Sequence, residues 1–501
     1  MSRIIESRQL EIDHTEISSI KFDVKSRDDI PKILIGLQYI YTNDNLREAV
    51  FDVLEKKMLP GVDINNGRPG MGFWKILVMG VLRLDLNCDY DRLHELVNQH
   101  KSVRKMLGHG DVFDETVYTL QNLKDNVRLL TPEILEEVNQ LIVKEGHGLL
   151  SKKKEKEPLR GRCDSFVVET HVHYPTDIAL LFDAIRKVIQ LTSRLCESHG
   201  LSDWRQYQHN VRQVKKQLRI AQAKKRSSWK TEQQQLKCKQ AMEDAHRDLI
   251  HLCRKFAEKA QITLENICNI QSLSTSDLAR IEVIRNFITH TDRQIDQITR
   301  RVLQGERIPH EEKVFSLFQP HTEWINKGKA GVPVELGLRV CILEDQHQFI
   351  LHHRVMQKET DDQVAVPMVN QAKDAFQNLS SCSFDKGFHS QENQELLAKK
   401  LDVVALKRKG KSSKKTKAVE SSQPFKRAAK KHAAVESAIN ALEVHGLDKC
   451  SDHGIDGFNR YIALSIVARN IHRIGDILHR KEQKRLARRQ RSANGIMRLA
   501  A

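Results

Sequence analysis

Apolar positions between residues 31 and about 145 recur with the spacing of α-helices. In "GMGFWKILVMGVLRLDL", Phe73, Leu77, Val81 and Leu84 fall three or four residues apart, which places them on one helical face. The segment "LNCD" then interrupts the pattern before a second helical stretch, "YDRLHELVNQH". We therefore predict an all-helical N-terminal domain over residues 1–150. A helical bundle without DNA contacts and a DNA-reading helix-turn-helix are equally compatible with this pattern.

The rest of the chain alternates strand-like and helical segments. "CDSFVVETHV" predicts a strand opened by Asp164, "VELGLRVCILEDQHQFILHHRVM" a hairpin, and "DVVALKR" a further strand, with a helix in "QVAVPMVNQAKDAFQNL". Residues 178–312 are polar and helical, and predict two or more long helices, of which a coiled-coil hairpin is one arrangement. This order predicts an α/β sheet interrupted by a large helical insertion, with ligand sites at strand ends.

The predicted organisation therefore has five segments. The helical N-terminal domain is followed by the first part of the sheet domain over 160–177, the insertion over 178–312, the remainder of the sheet domain over 313–480, and a basic tail over 481–501.

The charge balance points to a polyanionic partner. The chain has 82 Lys and Arg against 65 Asp and Glu, a net charge of +17, and basic surfaces gain affinity by displacing counterions from phosphates. The most apolar run is broken by Lys75 and Arg83, so no membrane span is expected, and no signal segment precedes it. Nine cysteines without a C-x-x-C pair predict neither a zinc ribbon nor a disulfide framework. We expect a cytoplasmic protein.

Three carboxylates stand at predicted element boundaries: Asp164, Asp385 and Glu436. Carboxylate oxygens are the ligands that Mg²⁺ favours, and paired ions promote phosphodiester displacement. Spacing alone does not select these three among 65 acids. Asp385 also suits a turn before Gly387, with Ser390 as the N-cap of the next helix. In the same way, Asp164 suits a strand start and Glu436 an exposed helical position.

Four segments in order resemble the DDE transposases of bacterial insertion sequences, in particular the ISNCY type. They are "DSFVVETHVHYPTD", "FSLFQPHTEWINKGKAGVPVELGLRVCILED", "SFDKGFHSQEN" and "VESAINALEVHGLDKCSDHGIDGFNRYIALSIVARNI". The N-terminal "GRPGMGFWKILVMGVLRL" is similar to the helical domain of the broader group.

The resemblance implies a ribonuclease-H-like catalytic domain in which Asp164, Asp385 and Glu436 bind two Mg²⁺ ions, or Mn²⁺ in their place. Such enzymes cut double-stranded DNA at the terminal inverted repeats of their own element by water attack. They then join the freed 3′-hydroxyl to target DNA, without a covalent protein–DNA intermediate. The resemblance also implies a homo-oligomer, expected to be a dimer, that associates with the nucleoid when it acts.

One part of the family pattern is absent. Related enzymes carry a Tyr and an Arg before the Glu and a Lys after it, where this chain has Ala429, His432 and Glu443. The cations of "FKRAAKK" are candidate substitutes for those phosphate contacts: Lys426, Arg427, Lys430 and Lys431.

Two further basic runs are candidate DNA contacts. The run "LKRKGKSSKKTK" is predicted to be a loop that holds the DNA backbone. The residues proposed to do so are Lys407, Arg408, Lys409, Lys411, Lys414 and Lys415. The C-terminal "RKEQKRLARRQR" suits a solvated helix end and a DNA-binding tail equally well.

The alternatives to an enzyme are a non-catalytic DNA-binding protein derived from a transposase and a coiled-coil scaffold. The intact acidic triad favours the enzyme.

Overall fold

The computed structural model describes residues 15–58, 70–110, 114–150, 157–224, 231–269, 273–326, 334–410 and 414–500, with the side chains of 415, 416 and 492–500 left out. The chain divides into two compact units. The first comprises Met1–His171 and Glu323–Ala501, and the second comprises Val172–Thr322.

The first unit begins with a group of helices, as its apolar periodicity predicts. Helix α3 is buried around almost its whole circumference, from Phe73 to Asp85, so it lies at the centre of this group rather than presenting one apolar face. The seven helices are α1 Ile30–Thr42, α2 Asp44–Met58, α3 Phe73–Asp85, α4 Tyr90–Gln99, α5 Lys101–Met106, α6 Leu120–Val127 and α7 Pro132–Leu150.

The first unit also contains a mixed sheet of seven strands. The strands are β1 Leu159–Thr170, β2 Glu323–Asn326, β3 Val334–Glu344, β4 Ile350–Met356, β5 Leu379–Phe384, β6 Val403–Leu406 and β7 Lys449–Cys450. Strand β3 pairs antiparallel with β1, β2 and β4, which includes the predicted hairpin. Strand β1 also pairs parallel with β5 and β7, and β5 pairs parallel with β6. The protein is thus a mostly helical α/β structure in which β1 holds a central place.

The prediction that Asp164 opens the first strand is wrong. Strand β1 begins at Leu159, so Asp164 lies within it. The strand therefore includes the end of the basic stretch before Asp164, and its first residue, Leu159, is buried. In addition, Arg162 lies 3.1 Å from a carboxylate oxygen of Glu344, which compensates a charge that the interior would otherwise exclude.

Six further helices complete the first unit: α12 Asp361–Ala375, α13 Gln391–Ala398, α14 Lys414–Ser421, α15 Gln423–His432, α16 Ala434–Leu442 and α17 Gly454–Ala500. Ser390 caps α13 as predicted, because its hydroxyl accepts the backbone N–H of Asn393 at 3.0 Å. The helical backbone of α17 continues through the predicted basic tail. Helices α1, α3 and α7 pack on α17, and these helices share one hydrophobic core with the sheet.

The second unit is helical, as predicted for residues 178–312. Four helices pack around a core of their own, so a two-helix hairpin does not describe it. They are α8 Asp177–Ser198, α9 Tyr207–Ala223, α10 Glu232–Cys268 and α11 Thr275–Ile298. The predicted domain boundaries themselves stay predictions. Among the residues described, none of the helices combines the length and the apolar character needed to cross a membrane.

Candidate active site

Asp164 and Asp385 are brought together by the parallel pairing of β1 with β5. The register pairs Arg162 with Ser383 and Cys163 with Phe384, and the two aspartates are the next residues on their chains. Neighbouring strands lie about 5 Å apart. Two acids that are 221 positions apart in the sequence therefore flank the same point of the sheet edge.

Glu436 approaches from a helix. It lies in the first turn of α16, which packs against β1 through a face that includes the buried Val435 and Leu442. Its side chain is exposed, as is that of Asp385, whereas Asp164 is half-buried. The predicted acids thus comprise one partly buried carboxylate and two that solvent reaches.

The pKa of Asp164 reflects both its burial and the other carboxylates around it. Burial raises the pKa of Asp164 to about 6, although the backbone N–H of Ser165, which donates to Oδ1 at 2.8 Å, lowers that pKa. The charges of Asp385, Asp361 and Glu436 raise it further. Negative charge therefore converges on Asp164, the condition that a bound cation relieves.

A further carboxylate, Asp361, the first residue of α12, lies beside the predicted acids and was not predicted from the sequence. Its Oδ1 accepts a hydrogen bond of 2.7 Å from Oγ of Ser165, the residue after Asp164. A Cβ atom placed on Gly387 would lie 2.8 Å from Oδ2 of Asp361, so a side chain there would require this carboxylate to shift. In the sequence, an acid at this position reads as an ordinary helix N-terminal residue.

Part of the predicted DNA-binding loop reaches the acids. Nζ of Lys409 donates a hydrogen bond of 2.9 Å to the carbonyl oxygen of Gly387, which places the segment after β6 against the turn that carries Asp385. The backbone N–H of Arg408 donates to Glu420 at 3.2 Å. Lys411 and the side chain of Lys415 lie outside the described residues. The other predicted cations have exposed side chains: Lys407, Lys414, Lys426, Arg427, Lys430 and Lys431.

His432 lies between the acids and a group of basic residues. Its Nδ1 is 3.1 Å from Oγ of Ser383 on β5. Burial lowers the pKa of His432, Asp385 raises it, and Arg162 lowers it again. Burial therefore disfavours a positive charge on this imidazole.

The side chains suit a hard divalent cation in their chemistry. Carboxylate oxygens are the preferred ligands of Mg²⁺, and their mutual repulsion here is what a cation would offset. Among the described residues, no group of three or more His, Cys, Asp or Glu side chains already has the geometry of a metal site.

Comparison with known proteins found no match for this chain among protein families, curated proteins or solved structures.

Proposed function

We propose that the protein is a DDE transposase that cleaves DNA at the ends of an insertion sequence and transfers the freed 3′-hydroxyl into target DNA. The observation that carries the proposal is the register of β1 and β5, which sets Asp164 beside Asp385 within electrostatic reach of Glu436. The assignment of the sheet domain as ribonuclease-H-like belongs to the same proposal. The mixed sheet, with its first acid on the central strand β1, supports it.

In this proposal Asp164, Asp385 and Glu436 hold two Mg²⁺ ions, with Mn²⁺ as a substitute. When bound, such ions supply activation of the attacking hydroxyl and stabilisation of the leaving oxygen. The hydroxyl of Ser165 donates a hydrogen bond to Asp361, and the proposed reaction gives this serine no nucleophilic role.

The exposed cations beside the acids hold double-stranded DNA in this proposal. Lys409 contacts the turn after Asp385, and Arg427, Lys430 and Lys431 extend along α15. Such side chains fix the backbone of the nucleic acid and carry no sequence information. In this proposal, other surfaces of the protein recognise the terminal repeats and form the expected dimer.

The substitution Asp385→Asn tests the proposal, because it removes one ligand charge with little change of shape. We expect Mg²⁺-dependent cleavage of linear DNA carrying the element ends to be lost, while a gel-shift assay shows binding close to wild type. The ends would be taken from the DNA that flanks the gene. Asp374→Asn is the matched control, since Asp374 is an exposed acid on α12 outside the site.

Three outcomes are distinguishable. Loss of cleavage in Asp385→Asn alone supports the enzyme. Cleavage by Asp385→Asn at the wild-type rate would show that the site is wrongly assigned. A wild-type protein that binds these ends but does not cleave them with Mg²⁺ or Mn²⁺ would favour the alternative, a non-catalytic DNA-binding protein derived from a transposase.

A further inference from the structure

A cavity of about 570 Å³ lies between the sheet and helix α15. Its floor is formed by residues of β1 and β5, among them Arg162, Ser381 and Ser383. Its opposite wall is formed by α15, whose side chains Arg427 and Lys431 face the floor. Because β1, β5 and α15 are all in the first unit, the cavity is formed within one compact body.

The lining of this cavity is strongly basic. Five cations contribute to it and no acidic side chain does, within the described part of the chain. The five are Arg160, Arg162, Arg427, Lys430 and Lys431. Such a concentration of like charge around a concave space is unfavourable unless an anion or a large amount of water enters it.

Arg162 gives the cavity a fixed, buried donor. The residue is only 9% exposed, and its Nη2 is committed to the carbonyl oxygen of Asp345 and to Glu344. Its Nε has no hydrogen-bond partner, although it is buried. Leaving a buried donor without a partner is unfavourable, so the protein's own groups do not fully satisfy this arginine.

We propose that this cavity is a binding site for a phosphate group. Arg162 and the hydroxyl of Ser381 supply donors from the floor, while Arg427, Lys430 and Lys431 supply charge from the wall. Guanidinium and hydroxyl donors around a compact oxyanion are the usual means by which proteins bind phosphate.

The strands that form the floor of the cavity also lead to two of the acids, Asp164 and Asp385. Alternate residues of a strand point to the same face of the sheet, so Arg160, Arg162 and Asp164 follow one another on one face of β1. On β5 the same alternation gives Ser381, Ser383 and then Asp385. Arg162 and Asp164 are thus two residues, or about 6.6 Å, apart along the strand. The bound phosphate is therefore assigned to a DNA strand that runs across this face of the sheet to the acids. This second part of the proposal rests on the proposed function.

Two probes test these steps separately: inorganic phosphate alone, and a short single-stranded oligonucleotide. We expect phosphate to raise the melting temperature of the full-length protein more than sodium chloride of equal ionic strength. We also expect phosphate to compete with the oligonucleotide. Both measurements are made without Mg²⁺, so that they do not depend on cleavage.

Matched lysine substitutions identify the site. Lys431→Gln removes a cation that lines the cavity, and Lys426→Gln removes one from the same helix that does not line it. Because Lys431→Gln removes one charged contact with the ligand, it should weaken the binding of phosphate and of the oligonucleotide about tenfold. Lys426→Gln should lower oligonucleotide affinity less and leave phosphate binding unchanged. Both lysines are exposed, so neither substitution endangers folding.

The outcomes separate the two steps from the proposed function. If Lys431→Gln weakens phosphate binding but phosphate does not compete with the oligonucleotide, the phosphate site stands and its assignment to DNA is overturned. Equal effects of the two lysine substitutions, or no stabilisation by phosphate, would overturn the site itself. A protein that fails to cleave DNA but passes both binding tests would leave the site standing and refute only the proposed function.

Discussion

Oγ of Ser165 donates a hydrogen bond of 2.7 Å to Oδ1 of Asp361, across 196 positions of sequence. This bond fixes a fourth carboxylate beside the strand that carries Asp164. The other oxygen of Asp361 then lies next to Gly387, where an added Cβ atom would come within 2.8 Å of it. The turn that follows Asp385 is therefore shaped in part by Ser165.

A double-mutant cycle tests this arrangement. Gly387→Ala should destabilise the protein by about 1–2 kcal/mol, since the added methyl group would overlap Oδ2 of Asp361. In a Ser165→Ala background Asp361 is free to rotate away, so the cost of Gly387→Ala should fall by at least about 0.5 kcal/mol. The free energies of unfolding would be measured by urea denaturation. Strictly additive effects would show that Ser165 does not hold Asp361 in place.

The charge on Asp164 should oppose folding at neutral pH. Burial raises the pKa of Asp164 to about 6 in the folded protein, against 3.8 for an aspartate in water. The folded state therefore binds more protons between these values, and stability falls as the pH rises through that window. Asp164→Asn should therefore stabilise the protein at pH 7.5, by on the order of 2 kcal/mol, and have little effect near pH 4.

The same variant tests cation binding without an activity assay. Mg²⁺ should raise the melting temperature of the wild-type protein at pH 7.5 above that in sodium chloride of equal ionic strength, because a bound cation offsets the converging carboxylates. Asp164→Asn should lose most of this increment. An equal increment in both proteins would place the ion elsewhere.

Local patterns were sufficient to predict the hairpin of β3 and β4, the strand β6 and the cap at Ser390. They failed where the deciding partner is distant in sequence. The segment before Asp164 reads as a charged linker until Glu344, 182 positions later, is placed beside Arg162. Asp361 was missed for the same reason, since only its contacts with Ser165 and Gly387 distinguish it from an ordinary acid at a helix start. The choice of the three acids came from family resemblance, and the register of β1 and β5 now gives it a geometric basis for two of them.

The close packing of α1 against α17 should depend on glycine. A Cβ atom on Gly475 would lie 1.9 Å from the carbonyl oxygen of Lys32, and backbone atoms cannot move aside without separating the helices. Gly475→Ala should therefore lower the free energy of unfolding by about 3 kcal/mol.

Gly148→Ala is the matched control, because Gly148 lies in α7 with open space where its Cβ would be. That substitution should stabilise the protein by about 0.5 kcal/mol through helix propensity. Similar losses in both variants would contradict the close helix contact.

Acid should destabilise the first unit through His353 on β4. Burial lowers the pKa of His353 to about 4, and the carboxylate of Glu136, 3.9 Å from its Nδ1, only partly offsets this. Because an unfolded histidine has a pKa near 6.5, the unfolded state binds the proton first, and stability present above that pH is lost as the pH falls toward 4. We expect this residue to account for about 2 kcal/mol of the loss between pH 7 and pH 5.

Urea denaturation at pH 7, 6 and 5 measures this contribution. His353→Gln cannot take up a proton, so its stability should fall less steeply with acid than that of the wild-type protein. His171→Gln serves as the control, since His171 is exposed to solvent and its replacement should leave the slope unchanged. Parallel pH profiles for the wild-type protein and His353→Gln would mean that the acid sensitivity arises at other groups.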